Sequence, residues 1–208
     1  MIPRICTSFA VCLALAGPLA AQVPMALVPT ESMAGQTVAV IPITLVAADP
    51  ALHGDSVYAP YRERRPTLLW ADSIIGEALT GRAPEANWVL PPKLRKMARR
   101  APGLVGDPDQ MGQAVMRAPK LKIIPDPLRS SLRSLVAISG GRIVMIPASL
   151  GFSRDTLGAV RADLSLVLAD ARSGKVVWRS VAVGTGDTPP AALDAALAAV
   201  LPLDSAQP

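Results

Sequence analysis

The chain has 208 residues, 50% of them hydrophobic, 18% charged and 3% aromatic, with a formal net charge of +5, 21 prolines, 15 glycines, two cysteines and one histidine. So apolar and weakly charged a chain is not a disordered polymer, and its length suits one modest domain rather than a multi-domain enzyme. Two cysteines are too few for a disulfide scaffold, and beyond the N-terminus no apolar run reaches the roughly 20 residues of a spanning helix.

The first 21 residues, MIPRICTSFAVCLALAGPLAA, place Arg4 ahead of an apolar stretch from Ile5 to Leu15, a Gly17-Pro18 break and then Ala20-Ala21. That order predicts a secretory signal peptide over 1–21, cut between Ala21 and Gln22. Cys6 and Cys12 both lie inside it, so the exported chain has no disulfide, thiolate nucleophile or cysteine metal ligand. Val11 is branched where a lipidation signal wants a small residue before Cys12. The expected product is therefore exported, periplasmic or secreted, soluble and not lipidated.

Residues 22–36 carry two prolines, a glycine and no period, and read as a flexible leader to a single domain over 37–201, with a polar tail at 202–208. Thr37 to Val46, TVAVIPITLV, suits a strand buried on both faces, with its ladder interrupted at Pro42. Ala47 to Arg65 reads as a surface loop. Pro66 opens a helix ending at Gly81, with Leu68, Leu69, Ile75, Ala78 and Leu79 on the apolar face and Asp72 and Glu77 outside it. Trp88 to Leu90 is a short strand before Pro91-Pro92. Three helical stretches follow: 92–101, a short one from Asp107 or Pro108, and one in which Leu128, Leu132, Leu135 and Val136 share a face up to Gly140-Gly141.

Arg142 to Pro147 is a further strand. Ala159 to Asp170 alternates, with Val160, Ala162, Leu164, Leu166 and Leu168 on one face. Residues 171–174 form a hairpin turn with Gly174 at positive φ, Lys175 to Gly184 returns as a strand, and Pro189 to Leu201 is an alanine-rich helix. The order β-α-β-α-α-α-β-β-β-α predicts an α/β (α+β) fold, a mixed sheet with helices packed on it.

The strand VAVIPI at 38–43 resembles the "VAVLPF" opening strand of bacterial envelope modules of the TolB amino-terminal, CsgG and penicillin-binding-protein-activator lipoprotein type. In those families a helix of the form Leu-x-x-x-Ile/Leu-x-x-x-Leu follows, and Leu69, Ile75 and Leu79 stand on the corresponding helix. The hairpin DARSGKVVWRSVAVGTG at 170–186 is similar to their "DaxTGevvw" hairpin, again ahead of an alanine-rich helix. Ile43 replaces the usual phenylalanine, the asparagine-containing loop is absent, and the basic helices at 92–117 look inserted. The resemblance implies the fold and an envelope location, and carries no activity over.

Reactive groups are sparse. His53 has Asp49 and Asp55 beside it, but no second histidine or any cysteine to complete a zinc site, and it reads as a loop histidine. Ser139-Gly140-Gly141-Arg142 follows a helix and precedes a strand, the reverse of a phosphate cradle. Gly184-Thr185-Gly186 precedes a helix that Asp187 or Thr188 would cap, with no lysine to hold phosphate. No catalytic, cofactor-binding or metal residue is assigned. Trp88 and Trp178 read as packing anchors.

Charge is the most informative polar feature. Between Lys93 and Arg133 ten basic residues stand against three aspartates, so this segment carries the chain's positive excess. On the helix at 92–101, Leu94, Met97 and Ala98 face inward and Lys93, Arg95, Lys96, Arg99 and Arg100 outward; with Lys120 and Lys122 they form a candidate interaction patch. Nucleic acid is not expected, because no aromatic stacking side chain occurs between Trp88 and Phe152. The leading expectation is a non-enzymatic exported envelope protein that binds another envelope protein. The alternative is association of the basic helices with an anionic lipid or glycan surface, and the third is an enzyme of unrecognised type.

Overall fold

The computed structural model describes residues 25–201. The signal peptide, its cleavage point, the lipidation expectation and the tail at 202–208 lie outside the described residues. Six strands form one mixed sheet: β1 (Thr37–Val40), β2 (Val46–Ala48), β3 (Asn87–Val89), β4 (Ile143–Arg154), β5 (Val160–Asp170) and β6 (Val176–Gly186). Their order is β3-β1-β4-β5-β6, with β2 continuing the line of β1 along β4. β1 is parallel to both β3 and β4, while β4, β5 and β6 are antiparallel neighbours. The α-helices are α1 (Pro50–His53), α2 (Arg64–Arg82), α3 (Pro91–Arg100), α4 (Leu128–Ser139) and α5 (Pro189–Val200). The expected α/β class is the class found.

Period-two alternation sends the strand residues to two cores. Val38, Val40, Leu164, Leu166 and Leu168 pack with Ile75 and Leu79 of α2 and Leu193 and Leu197 of α5. On the other face Ala39, Ile41, Val144, Ile146 and Val167 meet Leu94 of α3 and Leu128, Leu132, Leu135 and Val136 of α4. Each fully buried Leu, Ile or Val contributes about 1.5–3 kcal/mol.

Local chemistry ends the elements. Gly140 takes φ +82° and caps α4, and Gly174 takes φ +78° in the β5–β6 turn, where the Asp170 carboxylate accepts the Arg172 and Ser173 N–H groups. Thr188 caps α5 by accepting the Ala191 N–H. α5 lies directly on β6 because Gly184 and Gly186 present no side chain. A Cβ at Gly184 would stand 2.5 Å from Ala192 O.

The ladder breaks at Pro42 as expected, and the break divides the first strand into β1 and β2. Several other expectations change. The leader is docked over its described part: Val28 and Met33 are buried, Val28 N–H donates to Val200 O at 2.9 Å, and Gly35 N–H donates to Glu85 O at 2.8 Å. The two apolar side chains and these hydrogen bonds, with Ala26 N–H on Ser180 Oγ at 3.1 Å, tie the stretch to the domain. The loop at 47–65 contains β2, α1 and a 3-10 turn at Ala59–Tyr61, and buries Leu52 and Tyr58. α2 runs past Gly81 to Arg82, exposes Leu69 and buries Asp72. The helix expected from Asp107 or Pro108 is two 3-10 turns, Pro108–Gln110 and Gln113–Arg117, separated by Gly112 at φ +75°. β4 continues to Arg154, past a register shift between Pro147 and Ser149.

Candidate functional site: a cleft at the carboxyl end of β1

From β1 the chain passes through α2 to β3 on one side, then through α3 and α4 to β4 on the other. α2 packs on one face of the sheet, α3 and α4 on the opposite face. The crossovers therefore diverge at the carboxyl end of β1, and such a switch of strand order leaves a crevice where α/β sheets bind ligands. A cleft of about 990 Å³ opens there, between Arg64, Arg65, Leu68 and Leu69 of α2, Arg95, Ala98 and Arg99 of α3, and the 102–110 loop.

Its floor follows from the Pro42 break. Ile41 N–H still donates to Met145 O and Leu45 O still accepts from Leu150 N–H, but between them the polar groups of Pro42, Ile43 and Thr44 turn to side chains. Asp72 Oδ1 accepts the Ile43 N–H at 2.8 Å, and Gln113 Nε2 donates to Pro42 O at 2.7 Å and to Pro108 O at 3.0 Å. Arg64 Nη2 donates to Thr44 O at 3.2 Å. Arg95 Nη2 donates to Asp72 Oδ2 at 2.5 Å and Asp109 Oδ1 at 2.7 Å, while Arg95 Nε donates to Asp109 Oδ2 at 2.9 Å. Asp72 is the innermost of the three, 3% exposed against 14% for Arg95 and 43% for Asp109.

Burial pushes the Asp72 carboxyl above its ordinary pKa, opposed by the Ile43 N–H and by Arg95. For Arg95 burial works against the charge, but hydrogen bonds to Asp109 and Asp72 prevail and raise its pKa. The two directions agree with depth: the deeper group loses more hydration than its partner returns.

The expected interaction patch is divided. Lys93, Lys96, Arg99 and Arg100 are exposed on α3 and have no ion-pair partner among the described residues. Arg95, expected outside with them, turns inward because two carboxylates meet it there. Lys120 and Lys122 are exposed but belong to the segment against β6, where Val176 N–H donates to Lys122 O at 2.9 Å, at the opposite edge of the sheet. Arg64, Arg65, Asp72, Asp109 and Gln113 were not singled out by the sequence. One signal existed: α2 has two arginines and no acid in its first turn and no side-chain cap, against the helix dipole.

His53 ends α1 and stacks on Tyr58 with ring centroids 6.2 Å apart. Asp49 accepts the Ala51 N–H, and Asp55 accepts the Val57 N–H and pairs with Arg154. The three side chains thus serve turns and a surface ion pair. Gly140 is a helix cap, and Gly141 lies against the Thr37 carbonyl. Trp88 Nε1 donates to Ala83 O at 2.7 Å, and Trp88 and Trp178 both pack against the core, as expected of anchors. No helix among the described residues is long and apolar enough to cross a membrane.

No family model matches the chain, and no curated protein matches it. Solved structures similar to it include the LpoB C-terminal domain from Salmonella enterica, at 12% identity over 74% of this chain and 85% of that one, with a TM-score of 0.42. The LpoB C-terminal domain from Escherichia coli is 13% identical over 76% of this chain and 93% of its own, TM-score 0.41. A PelC dodecamer from Paraburkholderia phytofirmans is 16% identical over 83% and 90%, TM-score 0.38.

Proposed function

We propose that the protein is a non-enzymatic, exported envelope protein that binds a partner protein through the cleft at the carboxyl end of β1. The cleft itself is the observation that carries this reading. Its apolar walls, Leu68, Leu69, Ala98, Val105 and Pro108, stand beside Arg64, Arg65 and Arg99, which have no ion-pair partner among the described residues. Apolar walls beside unpaired cations resemble the anatomy of a protein interface, where apolar contact is bordered by polar groups. Export to the periplasm rests on the order of residues 1–21, and the mature chain would begin at Gln22.

The test places a photo-crosslinker at Leu69, which is 44% exposed, and at Leu157, which is 91% exposed and remote from the cleft. In envelope extract a discrete adduct should form from position 69 alone and vanish in the Arg64→Gln, Arg65→Gln, Arg99→Gln chain. Identical adducts at both positions, or turnover of a substrate bound in the cleft, would overturn the reading.

A second reading follows from the four exposed cations of α3: association with an anionic lipid or glycan surface. Co-sedimentation with phosphatidylglycerol vesicles should then fall with salt and disappear when Lys93, Lys96, Arg99 and Arg100 become glutamine. Sedimentation that survives these changes removes it. The same change at Lys120 and Lys122 should have no effect, because they lie at the other edge of the sheet.

A further inference from the structure

We propose that Arg95 is a preformed seat for a carboxylate of the partner protein, and that Asp109 of this chain occupies the seat until an acidic segment of the partner displaces it. This rests on the cleft being a protein-binding site.

The guanidinium is held from behind. Asp72 is 3% exposed, takes the Ile43 N–H on one oxygen and Arg95 Nη2 on the other, and so fixes the plane of the arginine. From the front, Asp109 takes the Nε and Nη2 edge with both oxygens, the two-point geometry that suits a carboxylate. The inner partner is locked and the outer one is exchangeable, because Asp109 is 43% exposed.

The element carrying Asp109 is short and leaves its side chain at the surface. It is a 3-10 turn of three residues within the irregular stretch 101–112, which contains Gly103 at φ +84°, Gly106 and Gly112 at φ +75°. The turn itself is tied down by buried Val105, Pro108 and Met111 and by Gln113 Nε2 on the Pro108 carbonyl, so the exchange is a swing of the Asp109 side chain alone. With Asp109 in place the cleft is still positive, because Arg64, Arg65, Arg95 and Arg99 stand against Asp72, Asp107 and Asp109, and Leu68, Leu69 and Ala98 offer apolar contact beside the seat. An incoming segment with aspartate or glutamate flanked by aliphatic side chains matches both features. An intramolecular competitor lowers apparent affinity by the fraction of time the seat is open, so removing it should raise affinity.

The probe is a fluorescein-labelled peptide of alternating leucine and aspartate, with its leucine–asparagine counterpart as control, read by anisotropy. Asp109→Asn and Asp109→Ala should each bind the acidic peptide at least about tenfold tighter than the native chain. Asp163→Asn, which removes a carboxylate outside the cleft, should leave affinity unchanged. Equal affinity in native and Asp109 variants would overturn the displacement while leaving the cleft a binding site. Equal gain for both peptides would overturn the carboxylate seat. Absence of binding by every form would remove the cleft reading together with the seat. Vesicle binding, not peptide binding, that rises in the Asp109 variants would also overturn the proposal.

Discussion

The carboxylate of Asp72 accepts the backbone N–H of Ile43 at 2.8 Å across 29 residues of chain, doing for the strand what a neighbouring ladder does elsewhere. Asp72→Ala removes that acceptor, orphans a buried N–H and strips Arg95 of its inner partner. Breaking a buried ion pair from one side costs about 3–5 kcal/mol. Urea unfolding should show a loss of that size, and Asp72→Leu combined with Arg95→Met should lose less than the two single changes added together. Additive losses would show that the pair is not coupled.

Helix α5 can approach β6 only where the strand has no side chains. At Gly184 a methyl group would collide with the backbone of Ala192 and Ala196, neither of which can swing aside. Gly184→Ala should therefore destabilise by roughly 1–3 kcal/mol, and Gly184→Val by more. In a chain of this size that lowers the melting temperature by about 2–4 °C per kcal/mol. An unchanged melting curve would mean that α5 packs farther out.

Met33 is 1% exposed, in the segment that sequence alone marks as a leader. Met33→Ala should cost about 2–5 kcal/mol by the methylenes removed and the cavity left. A chain beginning at Thr37 should lose the Val28–Val200 and Gly35–Glu85 hydrogen bonds and unfold at lower denaturant. If both proteins unfold like the native one, residues 25–36 contribute nothing to the domain.

Acid should weaken the β5–β6 hairpin. The Arg142 guanidinium hydrogen-bonds the Asp170 carboxylate, through Nε at 2.8 Å and through Nη2, and with the Arg172 and Ser173 N–H groups holds its pKa well below the usual carboxylate range. A pKa lower in the folded than in the unfolded chain stabilises the fold above the unfolded value of about 3.9 and loses that contribution as pH falls toward the folded one. The melting temperature of the native protein should thus drop more steeply between about pH 5 and pH 2 than that of Asp170→Asn. Parallel curves would reject the assignment.

Much of the fold was legible because its signals are local. Leu128, Leu132, Leu135 and Val136 with Gly140 behind them define α4, and Gly174 between two alternating runs defines the hairpin. The sequence predicts a strand only over Arg142 to Pro147, whereas β4 runs on to Arg154 and absorbs the proline through a register shift between Pro147 and Ser149. The helical period puts Asp72 on the outer face of α2, where a carboxylate on an amphipathic helix normally meets water. Its partners Ile43 and Arg95 lie 29 and 23 residues away, and no helical period can report them. The basic helix α3 was found, but one of its five cations turns inward, toward acids supplied by α2 and the 108–110 turn. The cleft combines separate stretches of chain and exists only once the sheet has assembled.

The gap at Pro42 also makes one amide a natural gauge of the cleft. Ile43 N–H is bonded to a side chain of α2 and to nothing in the sheet, so its chemical shift and exchange rate depend on Asp72 and, through Arg95, on whatever faces Arg95 from the cleft. A single cross-peak in a nitrogen-correlated spectrum can therefore follow occupancy of the cleft without a label, while the amides of β4 and β5, locked in their ladder, serve as the unmoving reference.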